Sequence, residues 1–244
     1  MAELPARLAA LTQARIGLAR TGQSLGTGAA LAFELAHARA RDAVHAVFDT
    51  TALHAAFAVI EVHSQAGDRA TYLQRPDLGR VLAKGAARRL APTGADTAVI
   101  VADGLSATAV ARHAVPLLSV LLPRLGGTLA PIIAAHQARV ALGDAIGAAL
   151  AVDIVIILIG ERPGLSAPDS LGAYITWNPH ADRLDSERNC VSNIRPPHGL
   201  GYAAAADRIA WLVHEARLRR LTGVALKDAS GSAPALGGVR LPIG

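Results

Sequence analysis

A carboxylate and a guanidinium side by side, Glu161 and Arg162, close the most β-branched run of the sequence and lead into a Pro163-Gly164 turn. At the end of a strand such a pair reads equally well as a salt-bridged surface turn or as polar groups facing a bound molecule. A second polar stretch runs from Arg188 through Asn189, Cys190, Ser192 and Asn193 to Arg195, and stops at Pro196-Pro197, which cannot continue a helix. Cys190 is the single cysteine, so an intramolecular disulfide and a cysteine-based zinc site are both excluded. Taken alone it reads first as a small packed hydrophobe. The nine histidines are scattered, with no HExxH pattern to suggest a metal. Ser106, in Asp103-Gly104-Leu105-Ser106, lacks the flanking glycines of a nucleophile elbow and suits a helix N-cap. Phosphate loops are missing as well: Gly22, Gly26 and Gly28 follow a helix pattern at the wrong spacing and read as a connection between helices.

The elements that must position these groups follow from the apolar pattern. Residues 1–50 read as helical, with Leu4, Leu8 and Leu11 at helical spacing and a second helix over residues 29–47. Residues 56–63 read as a short strand, and Arg75-Pro76-Asp77 as the start of a further helix. From residue 96 strand, loop and helix alternate. Strands are expected at 97–102, 129–135, 153–160 and 173–177, and helices after Ser106 (open to interruption at Pro116), at 144–150 and at 202–221. Apolar strands alternating with helices predict an α/β fold, a parallel sheet covered on both faces. Ligands bind such sheets beyond the carboxyl ends of the strands, which singles out residues 103–106, 136–140 and 161–170. The division expected is a mainly helical segment 1–95, an α/β domain 96–228 and a loosely held tail 229–244.

Composition narrows the function classes. Of the 244 residues 52% are apolar but only 3% aromatic, so the core must be aliphatic and stacking platforms for single-stranded nucleic acid are scarce. The net charge of +5 and the pI near 10.1 invite a nucleic-acid reading. Most cations are interleaved with acids, however, and the dense run Arg217, Arg219, Arg220 suits a helix C-terminus. A stand-alone nucleotide- or nucleic-acid-binding module is therefore the alternative reading, and a hydrolase using Cys190 or Ser106 a third. The longest apolar stretch is far short of a membrane span and the first residues lack a signal-peptide pattern, so a cytoplasmic protein is expected.

Seven segments in series resemble one family, the small subunit of ethanolamine ammonia-lyase: ARIGLARTG at 14–22, HARARDAV at 37–44, LQRPDLGR at 73–80, ADGLS at 102–106, GERPGL at 160–165, SLGAY at 170–174 and RNCVSNI at 188–194. The resemblance covers about residues 12–228. It implies a Rossmann-like domain at 96–228, preceded by a helical part, that packs on a larger TIM-barrel subunit holding ethanolamine, within a large hetero-oligomer. Adenosylcobalamin is implied at the interface, where it carries the radical conversion of ethanolamine to acetaldehyde and ammonia. The family's cofactor contacts fall here on Val140 (through its backbone), Glu161 (accepting from cobalamin amides) and Cys190 (at the corrin periphery). No catalytic residue and no protein metal ligand is implied on this chain, which should be inactive alone. With no DxHxxG motif, the cobalamin is expected to keep its own benzimidazole. The first motif begins at Ala14, so little of the family's N-terminal extension is expected, and enclosure in a bacterial microcompartment is left open.

Overall fold

A computed structural model describes residues 20–231, together with Arg7, Leu8 and Leu18. The expected helical turns around Leu4 and Leu11, and the tail from residue 232, lie outside the described residues. The glycine-rich stretch ahead of the first long helix forms a small hairpin, β1 (Arg20–Thr21) and β2 (Ser24–Leu25), turned with Gly22 at a φ of 64°. A long helix, α1 (Thr27–His45), and a short one, α2 (Thr51–Ala56), lead into strand β3 (Val59–His63).

Arg75-Pro76 does not open a helix. Helix α3 (Arg69–Gln74) lies before it, and Leu78–Arg80 makes only a 3-10 turn. The physical reason is a cap and a stop: Asp68 accepts the Thr71 N–H at 2.8 Å and starts the helix early, and Pro76 disfavours helical geometry at Arg75, where α3 ends.

The remaining elements are β4 (Thr97–Ala102), α4 (Ala107–Leu125), β5 (Ile132–His136), α5 (Leu142–Leu150), β6 (Ile154–Gly160), β7 (Leu171–Trp177), β8 (Asn189–Ile194) and α6 (Tyr202–Arg219). Helix α4 is not interrupted at Pro116. It runs through both Pro116 and Pro123, because the hydrogen bonds that proline removes are outweighed by the burial of Leu117, Leu118, Leu121 and Leu125 around them.

Six strands form one sheet in the order β3-β5-β4-β6-β7-β8. The first four are parallel, as expected, but β7 and β8 are antiparallel, so the sheet is mixed. A parallel return after β6 would need a crossover of a dozen residues or more. The ten residues 161–170, carrying Pro163 and Pro168, form no helix and simply turn the chain back, pairing Gly160 with Leu171.

Along β6 the side chains alternate between two buried layers. Ile154, Ile156 and Leu158 face the core under α4 and α6, while Val155, Ile157 and Ile159 face the core under α5. The sheet is thus sandwiched between helices, and the carboxyl ends of β4, β5 and β6 come out together at one edge.

Candidate functional site

Asp103, the residue after β4, organises that edge. Its buried carboxylate accepts the backbone N–H groups of Gln137 and Ala138, both at 3.0 Å, and lies 3.4 Å from Arg69 Nη1. Burial pushes its pKa up, against the opposing pull of those donors and of Arg69. The bonds pin the loop after β5 to the end of β4. Across from them Leu105 N–H donates to Gly160 O at 2.9 Å, bringing β4 and β6 so close that a Cβ on Gly104 would sit 2.3 Å from Gly160 O. Ser106, fully buried, caps α4 by accepting from Ala109 N–H and donates to Pro168 O at 2.8 Å. The cap reading of Ser106 stands, and its hydroxyl is not available as a nucleophile.

Between these strand ends lies a cavity of about 360 Å³, open to one side, whose lining includes Tyr72, Arg139, Val140, Glu161, Arg162 and Tyr174. That is the lower part of the size range of small-molecule sites. Val140 is half-buried in the turn before α5. Its carbonyl accepts the Gly143 N–H at 3.0 Å, while its own N–H finds no acceptor among the described residues. Glu161 continues β6. Its Oε2 accepts from Ser170 Oγ and from Asn193 N–H at 3.3 Å, which ties the carboxylate to β7 and β8. Its Oε1 sits over Gly172, where a Cβ would come within 2.8 Å, and accepts no hydrogen bond among the described residues.

Cys190 lies one strand further out, opposite Tyr174 in the β7–β8 ladder. The residue as a whole is exposed, but desolvation raises the thiol pKa, opposed by the Tyr174 hydroxyl and reinforced by the Glu161 carboxylate. A thiol held neutral is a poor nucleophile, which removes the support for a cysteine hydrolase. Of the three residues singled out by resemblance, Val140 and Glu161 line one cavity and Cys190 reaches it through Tyr174.

Sequence reasoning missed the floor of the cavity. Tyr72, fully buried on α3, donates from Oη to Ala138 O at 3.0 Å, and two guanidiniums lie against its ring, Arg139 at 4.4 Å and Arg69 at 4.8 Å from the ring centre. Burial pushes its hydroxyl up to about 12. Arg69 also donates to Gly104 O at 2.8 Å, yet its Nη2 is buried without a partner, as is Nε of Arg139. No spacing in the sequence announces a contact between residues 72 and 139. A second missed feature is the buried pair Arg188–Asp144, with two contacts of 2.6 and 2.7 Å, which links the start of β8 to the first turn of α5. Among the described residues no cluster of three or more His, Cys, Asp or Glu could hold a metal ion, and no helix is long and apolar enough to cross a membrane.

Comparison with known proteins gives a consistent result. The family described as "Ethanolamine ammonia-lyase light chain (EutC)" matches residues 2–227. The chain is similar to the ethanolamine ammonia-lyase small subunit of Bradyrhizobium diazoefficiens, 52% identical over 96% of this chain and 95% of the relative. It is equally similar, at 52% identity, to the proteins of the same name from Xanthomonas campestris and Azotobacter vinelandii, in each case over 91% of this chain and 87% of the relative.

Proposed function

The chain belongs to the ethanolamine ammonia-lyase light chain family, and from that premise we propose that it binds adenosylcobalamin at the interface with a large, substrate-holding subunit. The complex would convert ethanolamine to acetaldehyde and ammonia. The observation that carries this reading is convergence. Val140 and Glu161, 21 positions apart in sequence, line one cavity at the carboxyl ends of the parallel strands, where an α/β fold binds ligands, and Cys190 pairs with Tyr174, which lines the same cavity.

The residues present suit a corrinoid. Glu161 Oε1 offers an acceptor to a propionamide or acetamide side chain of the ring, and the Val140 N–H offers a donor to an amide carbonyl. The neutral thiol of Cys190 with Tyr174 gives a soft, weakly polar rim. A cavity of about 360 Å³ takes part of such a cofactor and not all of it, which supports a cradle completed by a second chain. Adenosylcobalamin, when bound, supplies the radical chemistry. This chain's residues bind and orient it and help to exclude water from the reacting centre. The buried cap of Ser106 and the raised thiol pKa of Cys190 give no support to a hydrolase working through either residue.

The test is reconstitution. The chain is co-expressed with an ethanolamine ammonia-lyase large subunit, and acetaldehyde formation from ethanolamine is measured with and without adenosylcobalamin. Turnover that requires both chains and the cofactor is the expected result. Turnover by this chain alone, or by the complex without the cofactor, would contradict the reading.

A further inference from the structure

We propose that Arg139 is an anion-binding residue of the cavity, receiving the phosphodiester of the cofactor's nucleotide loop. The inference rests on the adenosylcobalamin reading above and adds a contact that the resemblance did not supply.

Arg139 lines the cavity, yet its guanidinium has no hydrogen-bond acceptor and no carboxylate among the described residues, and its Nε is buried. Other buried or half-buried arginines are matched to carboxylates. Arg188 meets Asp144, Arg217 meets Asp96 at 2.8 Å, Arg195 meets Asp169 at 3.3 Å and Arg69 meets Asp103 at 3.4 Å. The buried Nε is left without an acceptor, and no carboxylate among the described residues takes up the rest of the guanidinium, which is open to an acceptor from outside.

Arg139 is also held still. Its guanidinium lies 4.4 Å over the Tyr72 ring, its backbone N–H donates to Gly79 O at 2.8 Å, and any Cβ at Gly79 would come within 3.0 Å of both side chains. The donor is therefore preorganised, which lowers the entropic cost of binding. An anion fits better than a neutral carbonyl on grounds of charge. The lining carries two guanidiniums, Arg139 and Arg162, against one carboxylate, Glu161, whose Oε2 is already engaged by Ser170 and Asn193. The amino end of α5, starting three residues after Arg139, adds positive partial charge. A planar guanidinium matches the oxygens of a phosphodiester with two parallel donors.

The experiment compares two corrinoids on the assembled complex, by absorbance titration. Adenosylcobalamin has the phosphodiester, and adenosylcobinamide lacks the whole nucleotide loop. Replacing Arg139 by Gln (Arg139→Gln) is expected to weaken adenosylcobalamin binding by about 10- to 100-fold, the range of one charge-assisted hydrogen bond. Adenosylcobinamide binding is expected to stay unchanged. Equal weakening of both, or of neither, would overturn the proposal. The wild-type complex supplies a second measurement that needs no variant: raising the salt concentration should weaken adenosylcobalamin more than adenosylcobinamide, and an identical response would count against the contact. Inorganic phosphate that raises the melting temperature of wild type but not of the variant, with no difference between the corrinoids, would assign the site to free phosphate and reject the cofactor assignment. A wild-type complex that binds neither corrinoid would instead bring down the cobalamin reading itself, and the proposal with it.

Discussion

Replacing Arg188 by Met should destabilise the protein sharply, and the structure sets the scale. The Arg188 side chain is 2% exposed and that of Asp144 6% exposed, with Nη1 2.6 Å from Oδ1 and Nη2 2.7 Å from Oδ2. Arg188 also donates to Thr176 Oγ1 and to Arg183 O, both at 3.0 Å. Arg188→Met strands the Asp144 carboxylate in the interior, and breaking a buried pair in this way costs about 3–5 kcal/mol. At about 2–4 °C per kcal/mol for a protein of this size, the melting temperature should fall by about 6–20 °C. Asp144→Leu alone strands the guanidinium and should cost a similar amount. The double variant removes both charges and should recover most of the loss, because the attraction within a buried pair largely offsets its desolvation. Thermal melts followed by circular dichroism measure all four proteins. Single variants that each cost under about 1 kcal/mol, well below the 3–5 kcal/mol of a buried pair, would refute the reasoning. So would a double variant whose loss equals the sum of the singles. The pair matters to the site because it fastens the strand that carries Cys190 to the helix that follows Val140.

Three further outcomes are expected. Gly160→Ala would place a Cβ 2.1 Å from Ser106 O and 2.6 Å from Asp103 O; both are backbone atoms, so soluble yield and melting temperature should collapse, whereas Gly164→Ala, with nothing nearer than 3.8 Å, should change stability by less than about 0.5 kcal/mol. Glu61 is held at about 2 by Thr50, His54 and His136. A depressed carboxyl stabilises above its unfolded pKa and loses that contribution as pH falls through the folded one, so Glu61→Gln should lose its stability deficit relative to wild type between about pH 4.5 and pH 2, which parallel melts across that window would show. Cys190 has a raised thiol pKa, so alkylation by iodoacetamide at pH 7 should be slower than for a free cysteine peptide, as followed by mass spectrometry; a faster reaction would mean that the thiol is not held neutral.

Much of the sheet was legible because β4 and β6 are buried on both faces and so read as unbroken apolar runs. Their direction was less so. The periodicity of β7 is the same whichever way it pairs, and only the short, proline-bearing connection 161–170 distinguishes a hairpin from a crossover. Strand β8 was hidden by its place at the sheet edge: only Val191 and Ile194 of its six residues are buried, and the irregular pairing between Leu171 and Ala173 breaks the expected alternation. The α3 boundary was misjudged because Pro76 was taken as a start, when the Asp68 cap had already begun the helix. At the site, Val140, Glu161 and Cys190 came from resemblance, and the topology sets Val140 and Glu161 in one cavity with Cys190 paired to Tyr174 beside it. Tyr72 and Arg139 could not have been paired from sequence, since contacts between distant segments leave no local pattern.

The most direct test of the central claim is the affinity of the two-chain complex for adenosylcobalamin when Glu161 is replaced by Ala. The account predicts a complex that still assembles, with cofactor binding weakened by about tenfold or more through loss of a charge-assisted acceptor. An assembled Glu161→Ala complex with unchanged affinity would contradict it and would move the cofactor away from this edge of the sheet.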